Sequence, residues 1–257
     1  MDEPSSMIVS MGAQRHYPHA PITEAVIDLR VELAMDITVA DLEKVQVGQE
    51  NAYPTKLKRN VAMGQMQMQP GQQVSAAATA RQVGYVFKSR DEKQIFQGRL
   101  DGFTMSRLAP YECWETFRDE ARRQWDIYRA AVSPQRVVRV AVRYINRIDI
   151  PLPLRDFKDY VRTVPEVSPD LPQGLAGYFM RLDIPMEDIK SRCLLNEAMV
   201  EPAAPNVVSV ILDIDVFRTE DVPTEESTLW GFIEELRSRK NSVFEACITD
   251  KARELFQ

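Results

Sequence analysis

The signatures that would disclose a chemistry are missing from this chain. It has no G-x-G-x-x-G and no G-x-x-x-x-G-K-[ST], and it has no H-E-x-x-H and no G-x-S-x-G. Phosphate-cradling loops, metalloprotease helices and hydrolase elbows therefore lose their support. Histidine is confined to His16 and His19, three residues apart. Two ligands leave the usual zinc site incomplete, and a histidine general base is hard to place there. Cys113, Cys193 and Cys247 are odd in number, far apart and without a C-x-x-C pair. That excludes a disulfide framework and a zinc ribbon, and predicts buried, reduced thiols. No apolar run nears the ~20 residues of a membrane span. The longest candidate, Val207–Leu212, is interrupted by Ser209. Met1–Gln14 lacks the basic and apolar regions of a signal peptide, so a cytoplasmic protein with no cofactor, no metal and no membrane contact is expected.

What is present suits a packed core. The 257 residues are 44% hydrophobic and 27% charged, with 32 basic against 38 acidic side chains, a net charge of −6 and a pI near 5.2. No global field draws such a chain to phosphates, so a nucleic-acid partner would need a local basic stripe.

Ala25, Ile27, Leu29, Val31 and Leu33 alternate with polar positions and predict a first strand. Val39, Leu42 and Val45 predict a helix, capped by Asp36 or Thr38 and ended near Tyr53-Pro54. Strands follow over Val61–Gln69, Val83–Lys88, Gln94–Leu100 and Phe103–Leu108, with a polar loop at Pro70–Arg81 and a hairpin signal at Asp101-Gly102. Trp114, Phe117, Ala121, Trp125, Tyr128 and Val132 recur at helical spacing before Pro134 and predict a core-facing helix.

The second half repeats that order. Val138 to Ile150 alternate as a strand, a short helix is expected near Leu154–Val161, and strands near Tyr178–Ile184, Arg192–Val200 and Val208–Val216 lead to a closing helix. Thr224, Ser227 or Thr228 would cap that helix, and Thr249–Phe256 would add a last turn. The expectation is an α+β chain with a flexible tail over 1–16 and two pseudo-repeated halves, 17–134 and 135–257, packed as one unit. Each half would be a strand, a helix, an antiparallel meander and a helix. The best local echo is Trp114-Glu115-Thr116-Phe117 against Trp230-Gly231-Phe232-Ile233. By topology this resembles the pseudo-symmetric saddle of TATA-binding-protein-like folds, an analogy that carries no function.

Among candidate site residues, Asp213 and Asp215 lie two apart on a strand and share a face about 7 Å from each other, as a cation site or acid–base pair would require. The competing reading makes them a solvated strand face, or partners of Arg139, Arg143, Arg147 or Arg181 on neighbouring strands. Arg139, Arg143 and Arg147 fall four apart on one strand face. They form a sparse basic line that could meet phosphates or carboxylates, or simply face Glu24, Asp28 and Glu32 of the first strand. Asn146 interrupts an apolar face, where its amide must find partners, in a structural tie or a ligand.

Tyr17-x-x-x-Pro21-Ile22-x-Glu24-Ala25-Val26-Ile27, Arg143-Tyr144-Ile145-Asn146-Arg147-Ile148, and Phe244-Glu245 with Ile248-Thr249-x-Lys251 resemble an uncharacterised, sporadically distributed bacterial family of about this length. The resemblance spans nearly the whole chain and brings no activity or catalytic residues with it. A scattered distribution implies an accessory gene, such as a component of a defence or toxin–antitoxin locus.

The expected function is a non-catalytic binding or regulatory protein. It would hold a protein partner on its polar sheet face, with Arg139, Arg143, Arg147, Arg181, Asp213 and Asp215 as candidate surface and Glu24 and Asn146 as inter-half or ligand contacts. A small-molecule-binding protein or metal-dependent enzyme on the same face is the alternative, and a phosphate-backbone binder the third. Homo-oligomerisation stays open.

Overall fold

The computed structural model describes residues 15–67 and 75–257. It is an α+β structure whose strands are β1 (Ile22–Glu32), β2 (Thr55–Gln67), β3 (Ser75–Lys88), β4 (Gln94–Arg99), β5 (Gly102–Leu108), β6 (Arg136–Pro151), β7 (Phe179–Met186), β8 (Ser191–Val200) and β9 (Val207–Arg218). The helices are α1 (Trp114–Val132), α2 (Glu226–Cys247) and the short α3 (Asp250–Glu254). All nine strands join one sheet in the order β2-β3-β4-β5-β1-β6-β9-β8-β7, with antiparallel ladders along the two meanders. Among the described residues no helix is long and apolar enough to cross a membrane.

The chain divides into two compact units. Among the described residues, one gathers 15–25, Ala109–Tyr111 and Ala141–Gln257; the other holds 26–67, 75–108 and Glu112–Val140.

In the second of these, all six members of the predicted α1 stripe are buried, and the helix packs on β5. Phe87 stacks on Phe96 at 4.5 Å and Trp125 on Tyr128 at 5.5 Å, so the core is chiefly aromatic. At the β4–β5 turn Gly102 takes φ +151°, and a Cβ there would meet the Leu29 carbonyl oxygen at 2.2 Å. Only glycine fits beneath that strand, which is why Asp101-Gly102 signals the turn.

In the other unit α2 lies on β9. Leu229, Ile233, Leu236, Phe244 and Cys247 of the helix are buried, as are Leu212, Ile214 and Val216 of β9 and Cys193 and Leu195 of β8.

Several local expectations change. The stretch read as a polar loop, Pro70–Arg81, contains strand from Ser75 onward, because Ala76, Ala77 and Ala78 pair with Met66, Gln65 and Gly64 of β2. A neighbouring strand overrides the weak strand preference of alanine. The residues 68–74 of the expected strand and loop lie outside the described residues. The first helix is a 3₁₀ turn, Asp41–Gln46, preceded by Ala40 with no side-chain cap. Thr38 donates its N–H and hydroxyl to the Asp41 carboxylate, each at 3.0 Å, the reverse of the expected capping direction. Near Leu154–Val161 only Phe157–Asp159 coils. α2 is capped by Glu225, whose carboxylate accepts from the N–H groups of Ser227 at 3.0 Å and Thr228 at 2.9 Å. Those two bonds and two more from the Ser227 and Thr228 hydroxyls hold its carboxyl down at about 2.

Candidate functional site

Register places the candidate residues of the α2-bearing unit in a row. Asn196 of β8 lies opposite Arg181 of β7 on one side and Asp213 of β9 on the other. Asp213 is 6% exposed, and Arg143 of β6 grips it with two parallel bonds of 2.7 Å, Nε to Oδ1 and Nη2 to Oδ2. Asn196 adds a third donor to Oδ2 at 3.0 Å. A bidentate fork of this kind is both directional and strong. It raises the Arg143 guanidinium pKa, the Asp213 bonds first, with the charges of Asp215 and Glu24 adding to it. Asp215 is half-buried opposite Leu194, and Glu24 is half-buried on β1. Among the described residues no three His, Cys, Asp or Glu side chains gather as a metal would need.

Arg147 donates to Asp149 at 3.0 Å, to the Glu201 carbonyl at 2.7 Å and to Ser209 at 2.9 Å. Asn146, 2% exposed, donates to the Leu212 carbonyl at 3.0 Å, tying β6 to β9. Arg139, in the other unit, donates to Asp28 at 2.9 Å. Asp28 also receives Thr104 Oγ1 at 2.7 Å, Arg99 Nη2 at 3.1 Å and Arg30 Nε at 3.1 Å. Burial pushes the Asp28 carboxyl up, but Arg99, Thr104, Arg30 and Arg139 outweigh it and hold it below the usual carboxylate range.

Three of the four candidate arginines are thus engaged by neighbouring acids. Arg181 differs: it is exposed on β7 and makes no hydrogen bond or ion pair among the described residues. Two positions before it on the same face stands Phe179, 70% exposed. Phe179 lies opposite Ala198, and Ala198 opposite Ile211, so an apolar row runs beside the polar one. Comparison with known proteins adds no relative, since no protein-family model and no curated protein matches the sequence.

Removing the clamp at the centre of the polar row has a defined cost. Asp213→Ala is expected to lower stability by about 2 kcal/mol in urea denaturation, the penalty for stranding a part-buried guanidinium and an amide. Asp213→Asn should recover little of it, because the amide nitrogen would face a donor whichever way it turns.

Two ionisable groups escape sequence reasoning altogether. Glu197 on the α2 side of β8 is fully buried; Tyr178 donates its hydroxyl to Oε1 at 2.5 Å, while Oε2 has no hydrogen-bond partner among the described residues. Burial pushes this carboxyl up to about 7 against the Tyr178 bond. Nearby, burial pushes the thiols of Cys193 and Cys247 up to about 12. Lys240 of α2 is 6% exposed, with Nζ 3.5 Å from the centroid of the Tyr144 ring. Burial first, then Arg237, draws its amine down to about 7. Both interrupt apolar patterns, Glu197 after Cys193 and Leu195 at period two and Lys240 after Ile233 and Leu236 at helical spacing. That interruption is the signal that could have found them.

Proposed function

We propose that this is a non-catalytic binding protein of the cytoplasm that holds a protein partner on the sheet face carrying the Phe179–Ala198–Ile211 row. The observation that carries the reading is the pairing of that row with charge: Phe179, 70% exposed, stands beside Arg181 while Arg143 and Arg147 are held by their own acids. Aromatic and arginine side chains together are the usual anchors of protein interfaces, and charges already clamped in place keep a fixed polar rim at little entropic cost. The resemblance to a sporadically distributed bacterial family supports an accessory role, as in a defence or toxin–antitoxin locus. The order of elements supports an internal duplication, with β1 through α1 and β6 through α2 as two copies of one saddle-like plan.

The test is affinity capture of the tagged protein from its native host, run in parallel with Phe179→Ala and Ala198→Glu. A partner recovered in stoichiometric amount with the wild type, and at least tenfold less with either variant, is expected. Failure to recover any stoichiometric partner, or equal recovery with both variants, overturns the reading.

A further inference from the structure

Among the described residues β7 is the last strand of the sheet, bonded to β8 on one side only. The Met199 N–H donates to the Tyr178 carbonyl at 3.1 Å, which sets the phase of the ladder. Even-numbered residues of β7 direct their backbone groups to β8, and Phe179, Arg181, Asp183 and Pro185 direct theirs away from the sheet. Pro185, which has no N–H, therefore falls where the ladder to β8 loses nothing. An edge of this kind presents a ready template for another strand.

The chemistry of the edge points to one occupant. Arg181, without a partner of its own among the described residues, and Asp183 flank Leu182 on the same face. If a second β7 approaches antiparallel with Leu182 opposite Leu182, each Arg181 faces the other copy's Asp183. Phe179 faces Pro185 in the same arrangement. The Arg181 and Asp183 backbones then exchange N–H···O bonds in both directions, and Phe179 donates to the Pro185 carbonyl. Only the bond Pro185 cannot donate is forgone. A register with arginine opposite arginine would set like charges together. We infer that the β7 edge is a self-complementary docking surface for a second copy of this chain, joined about Leu182 by reciprocal Arg181–Asp183 pairs.

Asp183 already holds Arg192 of its own chain, and the arriving Arg181 would complete a three-membered ion-pair cluster. The inference goes beyond partner binding and fails separately from it, since the self-pairing is read on purified protein and through residues other than Phe179 and Ala198.

Sedimentation equilibrium of the purified full chain, from micromolar to near-millimolar concentration, should show a monomer–dimer equilibrium. Arg181→Glu alone and Asp183→Lys alone should each weaken dimerisation at least about tenfold, since each sets like charges opposite one another twice. Mixing the two variants should restore a heterodimer, because both crossed pairs become attractive. Both sites are exposed, so thermal melting of either variant should stay close to that of the wild type. As a variant-free readout, the Arg181 and Asp183 amides should exchange more slowly with solvent as concentration rises. A wild type that stays monomeric throughout overturns the inference. So does a dimer indifferent to both single variants, a mixture no more dimeric than its components, or amide exchange independent of concentration.

Discussion

Asp28→Ala is expected to cost about 3 kcal/mol of stability, the loss that follows when one partner of a buried ion-pair cluster is removed. The Asp28 side chain is 13% exposed and answers three guanidinium groups and one hydroxyl. Without it, Arg99, whose side chain is only 8% exposed, keeps Asp101 as its remaining acid, and that carboxylate is largely in water. The penalty is the desolvation of a cation whose buried partner has gone, so Asp28→Leu combined with Arg99→Met should recover most of it. The pH dependence follows from the lowered carboxyl. Stability from Asp28 is fully present above the unfolded value of 3.8 and is lost as pH falls through the lower folded value. Urea denaturation followed by tryptophan fluorescence is suited to the measurement, since Trp114 and Trp125 belong to the same compact unit as Asp28. A loss under about 1 kcal/mol would show the arginines finding other partners at little cost.

Most of the framework was legible because it depends on local periodicity. Alternation from Ala25 to Val31, the aromatic stripe from Trp114 to Val132 and the turn at Asp101-Gly102 each report one element's own burial pattern. The first half of β3 was not legible, since its alanines become a strand only through pairing with β2. Asn146 interrupts an apolar alternation, which marks it as a buried amide needing partners, and it ties β6 to β9. The arginine line was legible as a line but not as a set of pairs. Arg139 meets Asp28 and Arg136 meets Glu32, as facing leading strands would have it, yet Arg143 turns instead to Asp213 of β9. Which acid answers which arginine depends on cross-strand register, and a single strand's sequence does not contain it.

Glu197 and Lys240 should give the protein an unusual pH profile, read as the difference between wild type and two variants. The Glu197 carboxyl titrates near 7 when folded and near 4.5 when unfolded. Between those values the unfolded chain has released a proton that the folded chain retains. Stability therefore falls as pH rises from 4.5 and levels off above about 7, a loss of up to about 3 kcal/mol. Glu197→Gln imitates the protonated acid and still accepts from Tyr178, so it should stay within about 1 kcal/mol of the wild type at about pH 5 and exceed it by up to about 3 kcal/mol at about pH 8.

Lys240 works in the opposite direction. Its amine titrates near 7 when folded against 10.5 when unfolded, so stability rises as pH climbs between those values. The Tyr144 ring beneath Nζ favours the ammonium form and trims the effect without reversing it, since such a contact is worth about 2 kcal/mol when desolvated. Lys240→Met, which keeps an unbranched chain against the ring, should stabilise the protein by a few kcal/mol at about pH 6, and the gain should vanish as pH approaches 10.5. The two groups together place a minimum of their combined contribution near neutrality, where each strains the fold in its less favourable form. Trp230 lies in the same compact unit as both residues, so its fluorescence in urea titrations from about pH 5 to about pH 10 follows the relevant transition. A Glu197→Gln difference that stays flat across this range would mean that the buried carboxyl ionises freely, and with it would go the claim that Glu197 is held neutral by its surroundings.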